Sequence, residues 1–194
     1  MRVILLTIGS LLPAVSTLVY VRSILQGQTR PHRTTYVLFV AITGLTFFSL
    51  LASHDQSGIW LAGISFLQTL VVCVLALRFG MGGKDVFDVI CFILCVCGLG
   101  LWVVTGESLL GLCTAIAADF LAMLPAVRKM WRHPHTEIWS YYGLDSIGAV
   151  LIVLAGPYDW RALLYPTYLL FANALCAAVI LRRKQSVAAP AQTA

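Results

Sequence analysis

The sequence predicts an all-α, polytopic membrane protein. Seven transmembrane helices form a 3+1+3 arrangement of two parallel three-helix units joined by a linker helix, N-terminus outside and C-terminus inside. Three observations carry this. The 194 residues are 60% hydrophobic and 11% charged, whereas a soluble domain averages about half apolar and a quarter charged. Too few polar residues remain to cover a water-soluble core. Seven apolar runs are each long enough to cross about 30 Å of hydrocarbon, and the basic residues fall in short clusters between them.

The runs cover 3–25, 34–52, 58–78, 86–105, 108–128, 138–156 and 161–181. Helices are the reading at this length, because a helix satisfies its own backbone where no water can. The first run carries Pro13 mid-span. Its start, with Arg2, Ala14 and Ser16, also fits a cleaved signal peptide, but the apolar stretch continues to Val21 before Arg22, which favours a retained span. The third run leads into "GMGGK" at 80–84, a flexible turn that follows no strand and lacks phosphate-loop spacing. "TGES" makes a tight turn between the fourth and fifth runs, and the tail 185–194 reads as disordered.

The loops set the orientation. Arg22, Arg30 and Arg33 follow the first run, Arg78 and Lys84 the third, Arg128, Lys129 and Arg132 the fifth, and Arg182, Arg183 and Lys184 the seventh. Eleven of thirteen basic residues thus lie on one side, and Arg2 and Arg161 on the other. Basic loops stay cytoplasmic, so the chain starts outside and ends inside. The tryptophans agree: Trp60, Trp102 and Trp160 fall at the outer interface, Trp131 and Trp139 at the inner one. The net charge of +5 is accounted for by topology, and nucleic-acid binding, which needs a basic stripe on one face, is excluded. Cys73, Cys91, Cys95, Cys97, Cys113 and Cys176 sit in apolar stretches and read as small hydrophobes, with no metal site and no cofactor. His32, His54, His133 and His135 read as solvated loop residues.

"PHRTTYVLFVAITGLTFFSLLA" from Pro31 and "PHTEIWSYYGLDSIGAVLIVLA" from Pro134 share a layout. Pro31 meets Pro134 at an offset of 103, Arg22 meets Arg128 at 106, and Arg78 meets Arg182 at 104. The steady offset predicts a duplication: a first unit over 1–80, a linker helix over 81–107 and a second unit over 108–184. The linker crossing lets the second unit run parallel to the first. Such pairs place a substrate site near the midplane and work by rocking one unit against the other.

Residues 124–140, "LPAVRKMWRHPHTEIWS", resemble the PQ-loop pattern of a proline near the inner end of a helix, basic residues, and a following helix. With seven spans and the duplication, the chain is similar to PQ-loop and SWEET-type transporters over roughly 1–184. It departs from them at the glutamine of the pair, which is Ala126 here, with Val19-Tyr20 at the matching place in the first unit. The resemblance implies transport of a small polar solute and an asparagine on the last helix of each unit to bind it. Asn173 matches that pattern, and its counterpart at the offset of 104 is Thr69, beside Gln68.

Other polar residues are candidates on their own cost. Asp119 lies near the middle of the fifth span, with Ala115, Ala118 and Ala122 on its face, and Asp145 in the sixth, with Tyr141 and Gly148 on its face. A carboxylate at that depth costs about 2.5–3.5 kcal/mol on insertion scales, so it faces a cavity or a partner, or is protonated. Both are proposed to couple protons or cations to transport. Pro125 and Pro13 can free backbone carbonyls and act as hinges. Trp139 and Tyr36, matched at 103, suit an inner gate or interfacial anchors. Glu137 reads as an interfacial charge.

The leading expectation is alternating-access transport of a small polar solute, in contact with membrane lipids and compatible with a homo-oligomer. The rival is a seven-helix sensor or partner- or lipid-binding protein on the same scaffold, since fold does not grant function. No nucleophile–base set points to an enzyme. The chain carries no Asn-X-Ser/Thr signal, which fits a bacterial inner membrane.

Overall fold

The computed structural model describes residues 1–52, 56–83, 85–105, 108–155 and 160–188. Among them the architecture is all-α, with seven helices on the seven apolar runs: α1 (Arg2–Leu25), α2 (Arg33–Ala52), α3 (Gln56–Phe79), α4 (Val86–Thr105), α5 (Ser108–Arg132), α6 (Trp139–Ala155) and α7 (Trp160–Ala188). A 3-10 turn at Pro134–Thr136 leads into α6. By length and composition two stretches can cross a membrane, Arg2–Leu25 and Leu163–Ser186. Shorter apolar helical stretches lie at Arg33–Phe48, Gly63–Phe79, Val86–Cys97 and Trp139–Ala155.

The chain divides into two packing units. The first holds Met1–Thr29 with the chain from Val127 onward. In it α1 lies antiparallel on α6 along its whole length. Arg2 Nε donates to the Ala155 carbonyl at 2.8 Å, Ser16 meets Asp145, and Tyr20 stacks on Tyr141 with ring centres 4.2 Å apart. The helices approach closely at Gly9 and Gly148. A Cβ on Gly148 would stand 2.9 Å from the Gly9 carbonyl oxygen, and one on Gly9 would stand 2.9 Å from Ile152. Pro13 contributes here, because its missing N–H leaves the Gly9 carbonyl without its helical donor. Helix α1 then ends in a Schellman-type turn: Gly27 takes φ +74°, and the Gln28 N–H donates to the Ser23 carbonyl at 2.9 Å.

The second unit spans Arg30–Ala126. Helices α2 and α3 form an antiparallel hairpin, joined by the Thr43–Thr69 hydroxyl pair at 2.8 Å and by parallel stacking of Phe47 on Phe66. At its other end the Met81 N–H donates to the Pro31 carbonyl at 2.9 Å, and the Arg33 N–H to the Met81 carbonyl at 3.1 Å. A core of Leu38, Ile42, Cys95, Ala118 and Ala122 draws on α2, α4 and α5.

These packing units cut across the division read from the sequence at 1–80, 81–107 and 108–184. Helix α1 packs on α6, which packs in turn on α7, while α5 as far as Ala126 groups with α2, α3 and α4. The reason is local: the Gly9, Pro13 and Ser16 face of α1 complements the Gly148 and Asp145 face of α6. A further difference concerns the tail. Residues 185–188, read as the start of a disordered segment (185–194), continue α7, and the Ser186 hydroxyl donates to the Arg182 carbonyl at 3.0 Å. Residues 189–194, His54, Lys84 and the Gly106-Glu107 turn lie outside the described residues.

Candidate functional site

Two polar clusters of the first unit lie on α1, at Ser16 and at Tyr20. Asp145 projects from the middle of α6 and meets Ser16, which is fully buried on α1. Its partner is a hydroxyl rather than a cation. Ser16 Oγ also lies 2.9 Å from the carbonyl oxygen of Pro13, and the Thr17 hydroxyl donates to that same oxygen at 2.9 Å. A hydroxyl has one proton to donate. When Asp145 is ionised, Ser16 must give its proton to the carboxylate. When Asp145 is protonated it can donate to Ser16, and Ser16 is then free to donate to Pro13. The geometry thus joins two predicted residues, the acid Asp145 and the hinge Pro13, through one that the sequence reading left unassigned.

One turn further along α1, the Tyr20 hydroxyl reaches both carboxylate oxygens of Glu137 at 3.0 Å. Glu137 is not an interfacial charge: it is 1% exposed. It forms an ion pair with Lys129 from the end of α5, itself buried, and its backbone carbonyl accepts from Lys184 Nζ of α7 at 2.8 Å. Burial pushes the Glu137 carboxyl above its ordinary range, opposed by the Lys129 ammonium and the Tyr20 hydroxyl. Burial likewise pushes Lys129 down, opposed by Glu137. The Pro134–Thr136 turn makes the pair, folding residue 137 back under the last turn of α5. A sequence signal existed, an acid set inside a basic loop, but its partner was not legible from helical spacing.

Asn173 is half-buried on α7, with its amide Nδ2 donating to the Leu169 carbonyl of its own helix at 3.0 Å. Asp145, Asn173 and Pro13 therefore belong to the first unit, and Gln68, Thr69, Asp119, Tyr36 and Pro125 to the second. There Thr69 bonds Thr43 as well as the Ser65 carbonyl of its own helix, with half-buried Gln68 beside it. Asp119 sits within electrostatic reach of Cys95, next to the packed Ala118–Ala122 face. Pro125 is buried inside a continuous α5. Of the proposed gate pair, Tyr36 is buried and edge-on to Phe39, while Trp139 is half-exposed.

His32 also departs from the expectation of a solvated residue. It is buried, with Nε2 3.4 Å from Asp88 Oδ2, and the Gly83 N–H donates to the same oxygen at 2.7 Å. Asp88, absent from the sequence reading, carried the same signal as Glu137, an acid beside a basic loop. Among the described residues no group of three His, Cys, Asp or Glu side chains could hold a metal ion. Comparison with protein-family models, curated proteins and solved structures returns no match.

Proposed function

We propose that the chain is a seven-span membrane transporter of a small polar solute, working by alternating access with proton coupling at Asp145. The scaffold is read as PQ-loop- or SWEET-like, N-terminus outside, in a bacterial inner membrane. The membrane reading is supported by the apolar side chains turned outward from different helices, such as Leu18, Val104 and Phe171, at 70%, 83% and 68% exposure, together with the mean hydropathy of +0.90. Such a surface has no place in water at this extent.

The observation that carries the transport reading is the Asp145–Ser16–Pro13 arrangement. A carboxyl mid-way along an apolar helix pair marks an ion or proton path. Here its protonation state decides whether Ser16 donates to the acid or to the carbonyl of a mid-helix proline. Gain or loss of one proton thereby reaches the backbone of α1 at Pro13, one turn past the Gly9 carbonyl that lacks its helical donor. Asn173, Gln68 and Thr69 are the proposed solute ligands, and Asp119 a second coupling group. Trp139 and Tyr36 are assigned as gate residues, with Pro125 and Pro13 as hinges.

The test is uptake of labelled sugars, polyols and amino acids by reconstituted vesicles. One class is taken up by the wild type, and Asn173→Ala reduces that uptake at least tenfold. Unchanged uptake in Asn173→Ala, Asp145→Asn and Asp119→Asn removes the assigned site. A sensor on the same scaffold is the second reading, favoured by the buried Lys129–Glu137 pair, a ready two-state element. Absence of uptake, together with a co-purifying partner protein lost in Glu137→Gln, would select it.

A further inference from the structure

The second unit carries a groove of about 320 Å³ lined by Arg33, Thr34, Val37, Leu77, Gly82, Gly83 and Phe92, none of which the transport reading uses. The groove is two-faced. Arg33 and Thr34, at the start of α2, supply a guanidinium and a hydroxyl. Val37, Leu77 and Phe92, from α2, α3 and α4, supply an apolar flank that is 37%, 56% and 41% exposed.

Its floor is glycine for a reason. Gly82 and Gly83 take φ +81° and +95°, values that side chains rarely adopt, and a Cβ on Gly83 would stand 3.4 Å from Thr34 Oγ1. The nearby carboxylate of Asp88 would oppose an anion, but the Gly83 N–H and His32 hold it, and it is only 4% exposed. The Arg33 side chain makes one hydrogen bond among the described residues, a long one from Nε to the Ala76 carbonyl at 3.4 Å. That contact aims the guanidinium without consuming its terminal nitrogens, which can take an oxyanion in bidentate fashion.

We infer that this groove holds an anionic phospholipid. The phosphate sits on Arg33 and Thr34 above the glycine floor, and an acyl chain runs along Val37, Leu77 and Phe92. A free phosphate would use the guanidinium but not the apolar flank, and a neutral lipid the reverse. Only an anionic lipid matches both faces. The inference rests on the membrane placement proposed above and is independent of transport.

The experiment uses the full chain, extracted in detergent, stripped of lipid and titrated with phosphatidylglycerol, phosphatidylcholine or inorganic phosphate while bound lipid is counted by native mass spectrometry. The wild type prefers phosphatidylglycerol over phosphatidylcholine. Arg33→Ala weakens phosphatidylglycerol binding about tenfold, while Arg183→Ala, a basic residue elsewhere, leaves it unchanged. Phe92→Ala, which alters no charge, also weakens it and covers the case in which Arg33→Ala fails to fold. Equal loss in Arg183→Ala means a diffuse basic surface and overturns the site. Inorganic phosphate binding as tightly as the lipid assigns a free anion and overturns the lipid. A chain that leaves membranes only in detergent yet shows no lipid preference overturns the groove and leaves the membrane placement standing.

Discussion

Glu137 and Lys129 show how a pair that looks ordinary in sequence acquires large consequences when buried. Two ions out of water cost several kcal/mol each, and their attraction offsets this only while both are present and hydrogen-bonded. Removing one partner leaves an uncompensated charge, so Glu137→Ala should lose about 3–5 kcal/mol of stability. The double variant Lys129→Met with Glu137→Met should lose clearly less than the sum of the single losses, a coupling that thermal melts in detergent would read. Additive losses would mean that the two side chains do not interact in the folded chain. Asp145 differs because it rests on a hydroxyl. Asp145→Asn keeps a group that can donate to Ser16 but cannot change its charge, so the fold should hold while any proton-dependent step stops.

At the scale of elements, the α1–α6 seam is the most demanding packing in the first unit. The backbones touch at Gly9 and Gly148, leaving no room for a larger residue. Gly148→Leu should cost about 1–3 kcal/mol through forced backbone shifts, lowering the melting temperature more than Gly143→Leu on the same helix. Equal effects would show that the close approach is not a constraint.

The helices themselves were legible, because seven apolar runs with basic ends leave few alternatives to seven helices. Pro13, Asp145 and Gly148 were each legible as unusual residues in apolar surroundings. Their alignment was not, since nothing in a linear pattern says that α1 will choose α6 over its sequence neighbours. Glu137 and Asp88 escaped because their burial depends on how a loop folds back: the three-residue turn at Pro134–Thr136 decides it for Glu137, and the contacts of Gly83 and His32 decide it for Asp88.

For the whole molecule, transport as proposed needs the chain to lie in a bilayer with its basic loops inside. A reporter enzyme active only in the periplasm can be fused after Ala188 or inserted at Ser53, between α2 and α3. The expected result is activity at Ser53 and none after Ala188, and the reverse pattern would invert the topology. The polar solute and the anionic lipid proposed here belong to different places and can fail separately.

Whether protons move through Asp145 can be read in sealed vesicles. Vesicles carrying the purified chain and a trapped pH-sensitive dye are given the transported solute, and internal pH is followed for the wild type and for Asp145→Asn. A solute-dependent pH change is expected in the wild type, and it disappears in Asp145→Asn while the variant stays folded. An equal pH change in both, or transport by the wild type with no pH change at all, would rule out proton coupling at Asp145.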